Sequence, residues 1–380
     1  RNMFLGAVAL VVATVILTSG AFLYLLHMSY GDAAGAVRLF RVMHIIKSRY
    51  VEEVPSETLM TGAIKGMVNS IGDVHSIYMD PKMYKDFLVE TEGSFGGVGI
   101  VLGAKDKALT VVSPIEGTPG DKAGIKSGDI IVKINGQDTK GMALDEAVGK
   151  IRGPEGTTVT LTIQRGQETK DYTLTRSNIQ IKTVNGKMLP DRIGYIRISM
   201  FNEQTNNDFA KKYQELEREG MRGIILDLRD NPGGLLDECV KVANKFVPKG
   251  PVVSVVTRDG RRDTSRSSLE AVKYPCAVLV NGGSASASEI VAGAIQDTGA
   301  GTLIGTKTYG KGSVQTIMRL DGGGAVKLTI AKYYTPNDRS INGIGIEPDI
   351  KLELPDKETG KDMKDIQLEK ALEVVKSKLN

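Results

Sequence analysis

Tryptophan is absent from this 380-residue chain and aromatic residues make up 5% of it, so side chains on which nucleic-acid bases could stack are scarce. Charge of one sign is lacking too. The 49 Lys and Arg residues nearly cancel 45 Asp and Glu, and a formal excess of +4 is too small for a dedicated nucleic-acid binder. Cysteine is reduced to Cys239 and Cys276, which excludes a disulfide scaffold or a thiolate metal cluster and leaves two free buried thiols as the expectation. Histidine occurs three times, at His27, His44 and His75, all in the first fifth of the chain. Chemistry placed later must therefore do without imidazole. No H-E-x-x-H motif is present, and neither a metal nor a cofactor is expected.

What is there reads as globular protein, with 41% hydrophobic and 25% charged residues, long enough for two or three domains. Residues 3–26 carry no charge. At ~1.5 Å per residue this run crosses a hydrocarbon core of about 30 Å, so residues 3–27 are expected to form a membrane anchor. Ser19-Gly20-Ala21 also offers a small-residue site at which a secretory signal could be cut. The single Arg1 before the run, against Arg38, Arg41, Lys47 and Arg49 after it, leaves the orientation open on charge alone.

Beyond this run the texture changes twice. Leu39, Val42, Met43, Ile46 and Tyr50 follow helical spacing, and Leu59, Ala63, Ile64, Met67 and Val68 repeat it after Pro55. Residues 33–88 thus read as a helical arm for packing or dimerisation, on which His44 and His75 are structural. Residues 89–178 read as a small β-module: Val159, Leu161 and Ile163 alternate with threonines, and Asn135-Gly136 marks a tight turn. Its Gly96-Gly97-Val98-Gly99-Ile100 segment can present bare backbone N–H groups to a carboxylate beside a strand edge, although most Gly-rich turns are only turns. Residues 180–355 alternate strands with helices, as in α/β proteins whose ligands lie beyond the carboxyl ends of strands. Both Gly-Gly turns, in Asp230-Asn231-Pro232-Gly233-Gly234 and Asn281-Gly282-Gly283, fall at such ends. Residues 356–380 form a charged, amphipathic tail, read as a surface helix.

The second Gly-Gly turn leads into Ser284-Ala285-Ser286-Ala287-Ser288-Glu289 at the start of a helix, where developing negative charge is favoured. Serines also cap helices, and these could do only that. A catalytic serine here needs a base other than histidine. Lysine serves when burial lowers its pKa from ~10.4 toward neutrality, and Lys311, between Gly310 and Gly312, is the candidate by context. Two other motifs fail. Gly305 to Lys311 spells G-x-x-x-x-G-K, but Gly312 stands where a phosphate loop needs Ser or Thr. Asp297-Thr298-Gly299 has no second such triplet to share a proton with, which makes Asp297 a turn or cap residue.

Five separated segments, in order, resemble the carboxyl-terminal processing proteases. Gly93 to Ile100 and Ala123 to Asp129 look like the PDZ module of that family. Leu226 to Gly234, Ser284 to Ile290 and Gly310 to Gln315 look like its Ser–Lys protease core. The resemblance implies an α/β protease core of crotonase/Clp-like sheet and helices, with an inserted PDZ domain, a helical N-terminal arm and an N-terminal transmembrane helix. It implies Ser286 as nucleophile, Lys311 as general base and Gln315 as the residue that orients the lysine. The oxyanion hole would be the main-chain N–H groups of Gly233 and Ala287, with Gly234 the second choice. The PDZ module would recognise substrate C-termini or gate the active site, two roles the sequence does not separate, with Gly97, Val98, Gly99 and Ile100 binding the substrate carboxylate. The sequence departs from the family pattern at Val74 and at Asn337-Asp338, neither of which touches the dyad.

The resemblance also implies protein or peptide substrates with accessible C-termini, no cofactor, and assembly as a homodimer or larger homo-oligomer. The enzyme would be a single-pass protein of the cell membrane, its N-terminus cytoplasmic and its catalytic part extracytoplasmic. Two competitors make different demands. A catalytically silent, membrane-tethered PDZ scaffold predicts loss of Ser286 or Lys311, and both are present. A nucleotide-dependent enzyme predicts nucleotide binding at residues 305–311.

Overall fold

The computed structural model describes residues 12–21, 24, 33–105, 108–354 and 364–379, and divides the chain into two compact units, residues 1–80 and 81–380. Most of the apolar run expected to span a membrane lies outside the described residues. Residues 12–21 are helical, with Val12, Val15, Ile16 and Leu17 exposed. Among the described residues no helix is long and apolar enough to cross a membrane. The arm forms as its periodicity predicts, in helices Ala33–Arg49 and Ser56–Asn69, the second beginning directly after Pro55. Asp73 accepts from the His75 amide (3.0 Å) and the Ser76 hydroxyl (2.6 Å), so the segment around His75 is a side-chain-bonded turn.

In the second unit the β-module is built on strands Ile100–Lys105, Ala108–Pro114, Ile130–Ile134, Thr158–Arg165 and Glu168–Thr175, in that order across one sheet. Val159, Leu161 and Ile163 all point inward, joining Val98, Val111, Ile131, Ile134 and, from helix Leu144–Ile151, Ala147 and Ile151. Glu168–Thr175 escapes the pattern because it is an edge strand, with Leu174 alone buried. Asn135 and Gly136 both have positive φ (49° and 81°), the turn that an Asn-Gly pair favours. Chain entry and exit run side by side: Ser94–Gly97 pairs antiparallel with Ser177–Gln180.

The core carries a six-stranded sheet in the order Val184–Leu189, Ile193–Ile198, Gly223–Asp227, Cys276–Val280, Thr302–Gly305 and Ile350–Lys351. All its pairings are parallel except the first. Gly223–Asp227 and Cys276–Val280 are buried at every residue because both faces are covered. Phe209, Tyr213 and Leu216 of helix Thr205–Arg218, with helices Leu236–Ala243 and Ala287–Asp297, cover one face. The opposite face is closed by helix Ile366–Ser377, whose Ala371 and Val375 pack against Ile193, Ile225, Ala277, Leu279 and Ile304. The tail is therefore a structural layer of the core rather than a surface helix. A second sheet, ordered Ser313–Arg319, Ala325–Tyr334, Gly250–Thr257 and Arg262–Ser267, is antiparallel and packs against helices Leu236–Ala243 and Ala287–Asp297. Cys239 and Cys276 are free and fully buried, as expected.

Candidate active site

Strand Cys276–Val280 ends at Asn281, whose side chain shapes the turn by accepting from the Gly283 amide (3.0 Å) and the Asp230 amide (2.9 Å). Ser284 is buried: its hydroxyl donates to Leu228 O (2.8 Å) and accepts from the Asn281 amide (3.0 Å). Ser288 is buried as well and donates to Asn231 O (2.9 Å). Of the three serines only Ser286 is half-exposed. It stands at the N-cap of helix Ala287–Asp297 with φ 54° and ψ −113°, a backbone that a non-glycine residue adopts at a cost of order 1–3 kcal/mol.

Glu289 organises what surrounds it. This carboxylate is fully buried and accepts four hydrogen bonds: from Thr308 Oγ1 (2.6 Å) and the Gly310 amide (2.7 Å) at Oε1, and from the Ser286 amide (2.8 Å) and the Lys311 amide (2.8 Å) at Oε2. One oxygen thus ties the main chain of the serine to that of the lysine, 25 residues later in sequence. The S-x-x-E spacing from Ser286 to Glu289 is the sequence signal of a capping box, from which this residue could have been singled out. Tyr333 joins the same cluster: its hydroxyl donates to Lys311 O and is hydrogen-bonded to the Ser286 side chain. Burial pushes that phenol well above its ordinary pKa, the nearby Glu289 charge adding to the effect. Its position in strand Ala325–Tyr334 gave no sequence signal.

Gly233 and Gly234 lie against this helix start. A Cβ on Gly233 would sit 2.7 Å from Ala285 O, 2.8 Å from Ser286 Cβ and 2.9 Å from Ala287 N, and one on Gly234 would collide with Phe201 O. Only glycine fits there, and both have positive φ (102° and 138°). The Gly233 amide donates to Asn231 Oδ1 (2.9 Å), while the Ala287 amide, first of its helix, has no intrahelical acceptor. Asn231 is itself fixed, donating from Nδ2 to Ile198 O and accepting at its carbonyl from the Ala285 amide, each at 2.9 Å.

Gln315 lies on strand Ser313–Arg319, directly after the lysine, and its Nε2 donates to Ser313 Oγ (2.8 Å) and Thr329 Oγ1 (3.1 Å). Gly97, Val98, Gly99 and Ile100 sit in the β-module. Gly99 has φ +70° and no room for a Cβ against Thr118, and Val98 O accepts from the Gly120 amide (2.7 Å). They lead into Ile100–Lys105, an edge strand packed beside helix Leu144–Ile151. Asp297 is a structural residue, accepting from the Asn337 amide (2.8 Å) and pairing with Arg339, while Asp338 adopts the left-handed conformation (φ 59°) in that turn. Among the described residues no His, Cys, Asp and Glu group could hold a metal ion.

The profile of peptidase family S41 matches residues 192–352, that of a PDZ domain residues 110–165, and that of the activating protease CtpB N-terminal domain residues 32–83. A carboxy-terminal-processing protease of Bartonella bacilliformis is 42% identical over 374 residues, covering 95% of this chain and 84% of that protein. The chain belongs to the carboxyl-terminal processing proteases. The carboxy-terminal processing protease CtpA of Bacillus subtilis is 41% identical over 322 residues, covering 84% of this chain and 69% of that protein. A candidate S41 protease structure from Bacteroides fragilis superposes with a TM-score of 0.50 at 17% identity, over 88% of this chain and 96% of that one, and shows the fold. This S41 enzyme is a serine-type peptidase with a PDZ module, as the resemblance of its motifs implied.

Proposed function

We propose that the chain is a membrane-anchored endopeptidase acting outside the cytoplasm, which cleaves protein substrates near their C-termini through an acyl-enzyme on Ser286, with Lys311 as general base. The observation that carries this is the shared Glu289 Oε2, which holds the Ser286 and Lys311 main chains to one point in a half of the molecule without histidine. As a neutral amine, Lys311 takes the proton of Ser286 as the hydroxyl attacks the peptide carbonyl, and returns it to the leaving amine. The Ala287 N–H and the Gly233 N–H receive the tetrahedral oxyanion, the latter exchanging its bond to Asn231 for the developing charge. Water then enters and the same lysine assists deacylation.

The PDZ module supports recognition of the substrate terminus. A peptide adds as a strand to the open edge of Ile100–Lys105, with its carboxylate at the Gly97–Ile100 backbone. The uncharged run at residues 3–26 supports the anchor. The helical arm supports assembly as a homodimer or larger homo-oligomer. The test is cleavage of unfolded β-casein and of a peptide with an apolar C-terminus by the full chain in detergent, without metal or nucleotide, beside Ser286→Ala and Lys311→Ala. Folded but inactive variants support the dyad. An active Lys311→Ala removes the lysine as base, and no cleavage by any version leaves a gated protease awaiting a partner or a PDZ scaffold.

A further inference from the structure

The Tyr333 amide donates to Gly312 O (3.0 Å), which extends the ladder of Ser313–Arg319 with Ala325–Tyr334 one residue toward the lysine. In extended chain, alternate residues share a face, so Ser313 and Gln315 lie on the same side of the strand, which Lys311 precedes by two residues. Opposite them the ladder is irregular. Val314 pairs with Ala331 but Gln315 with Thr329, so Ile330 is an extra residue on the partner strand. Such a bulge re-aims side chains, and it brings the Thr329 hydroxyl to the Gln315 amide. A primary amide has two N–H donors, and here both are committed, one to Ser313 Oγ and one to Thr329 Oγ1.

Resting on the Ser–Lys reading above, we propose that Ser313 and Thr329 are positioning residues for the base: by holding Gln315 at its N–H end, they turn its carbonyl oxygen toward the Lys311 amine. That end of the amide can accept from the lysine, whereas the other end would repel it. The lysine side chain is thereby kept over the strand in reach of Ser286, and its ammonium form gains an acceptor without a second charge.

The experiment compares Thr329→Val, which removes the hydroxyl at nearly constant shape, with Thr329→Ser and Ser313→Ala in the full chain. For Thr329→Val, kcat on a peptide substrate is expected to fall roughly tenfold from base misplacement, with KM within about twofold. The acid limb of its kcat/KM profile moves to lower pH, because the ammonium loses an acceptor that favoured the charged form. Glu289 and Tyr333, bonded to the main chain of residue 311, and Lys332, paired with Ser313, are unchanged in these variants and give no competing shift. Thr329→Ser restores both kcat and the limb, and Ser313→Ala reproduces the defect. An unshifted limb with normal kcat in folded Thr329→Val overturns the proposal, as does a Thr329→Ser enzyme impaired like Thr329→Val. Should Thr329→Val fail to fold, Ser313→Ala decides by the same two readouts. With Ser286→Ala and Lys311→Ala both inactive, such a failure falls on the positioning role alone; an active Lys311→Ala defeats the dyad and this proposal together.

Discussion

Arg229 and Asp365, 136 residues apart in sequence, are joined by two parallel hydrogen bonds, Nη1 to Oδ1 at 2.9 Å and Nη2 to Oδ2 at 2.8 Å. Arg229 also grips Asp227 at the end of its strand (2.7 and 3.0 Å) and immediately precedes the Asp230–Gly234 loop. The carboxylate that starts the last helix therefore fixes the residue from which the Gly233 turn hangs. Asp365→Ala leaves a buried guanidinium short of one partner. A loss of about 2 kcal/mol in stability is expected, since Asp365 is partly solvated, and peptidase activity should drop with it. Urea unfolding and a peptide assay on one preparation check both. Unaltered values for each would show that the pair carries neither role.

Glu289→Gln is nearly isosteric but replaces one acceptor oxygen by a donor that faces main-chain N–H groups. At least one of the four bonds, that of the Gly310 N–H or those of the Ser286 and Lys311 N–H groups, cannot re-form, and about 1–3 kcal/mol of stability should be lost. Activity should fall at least ~100-fold, because serine and lysine lose their common fixed point. Acylation by a fluorophosphonate probe, measured on folded protein, would reveal whether Ser286 remains reactive.

Gly233→Ala should be folded poorly or inactive. Its Cβ has no free space beside Ser286 Cβ, and positive φ adds strain. A stability loss of about 1–3 kcal/mol is expected. Rate should decrease at least ~100-fold, as for loss of an oxyanion donor. Wild-type turnover in this variant would place the oxyanion elsewhere.

In the PDZ module the Arg165 guanidinium beside Asp129 (2.7 and 2.8 Å) holds that carboxyl below its usual pKa, against the effect of burial. A depressed folded pKa contributes stability above the unfolded value of ~3.9 and loses it as pH falls through the folded one. The module should therefore weaken below about pH 4, and Asp129→Asn should lack this acid dependence. Circular dichroism melts of both proteins between neutral and acid pH measure the difference.

Burial pushes the Cys276 thiol up to about 12 and Cys239 further. Native protein at pH 8 should thus resist a thiol reagent, and unfolding should release both groups. Rapid labelling without unfolding would contradict the packed core described for helices Leu236–Ala243 and Ala287–Asp297.

Periodicity revealed the elements buried in a regular way. Thr158–Arg165 shows its inward face in three residues, and Gly223–Asp227 reads as a run because both its sides are covered. Glu168–Thr175 and Arg262–Ser267 did not show, since edge strands with one or two buried residues carry polar sequences. The tail helix misled through its charge: its apolar stripe is narrow, yet Ala371 and Val375 are fully buried. At the site, serine and lysine were legible through their glycine surroundings and family likeness. Glu289 showed only as a capping-box spacing from Ser286, while Tyr333 and Thr329 make contacts between strands and segments that spacing does not encode.

The paired strands Ser94–Gly97 and Ser177–Gln180 bring the two ends of the PDZ module together as it leaves and rejoins the protease fold. A segment whose ends already meet can be lifted out without pulling the host apart. Recombination could trade this PDZ module for another while the protease fold stayed intact. In such an architecture the inserted module and its host are free to evolve on separate schedules.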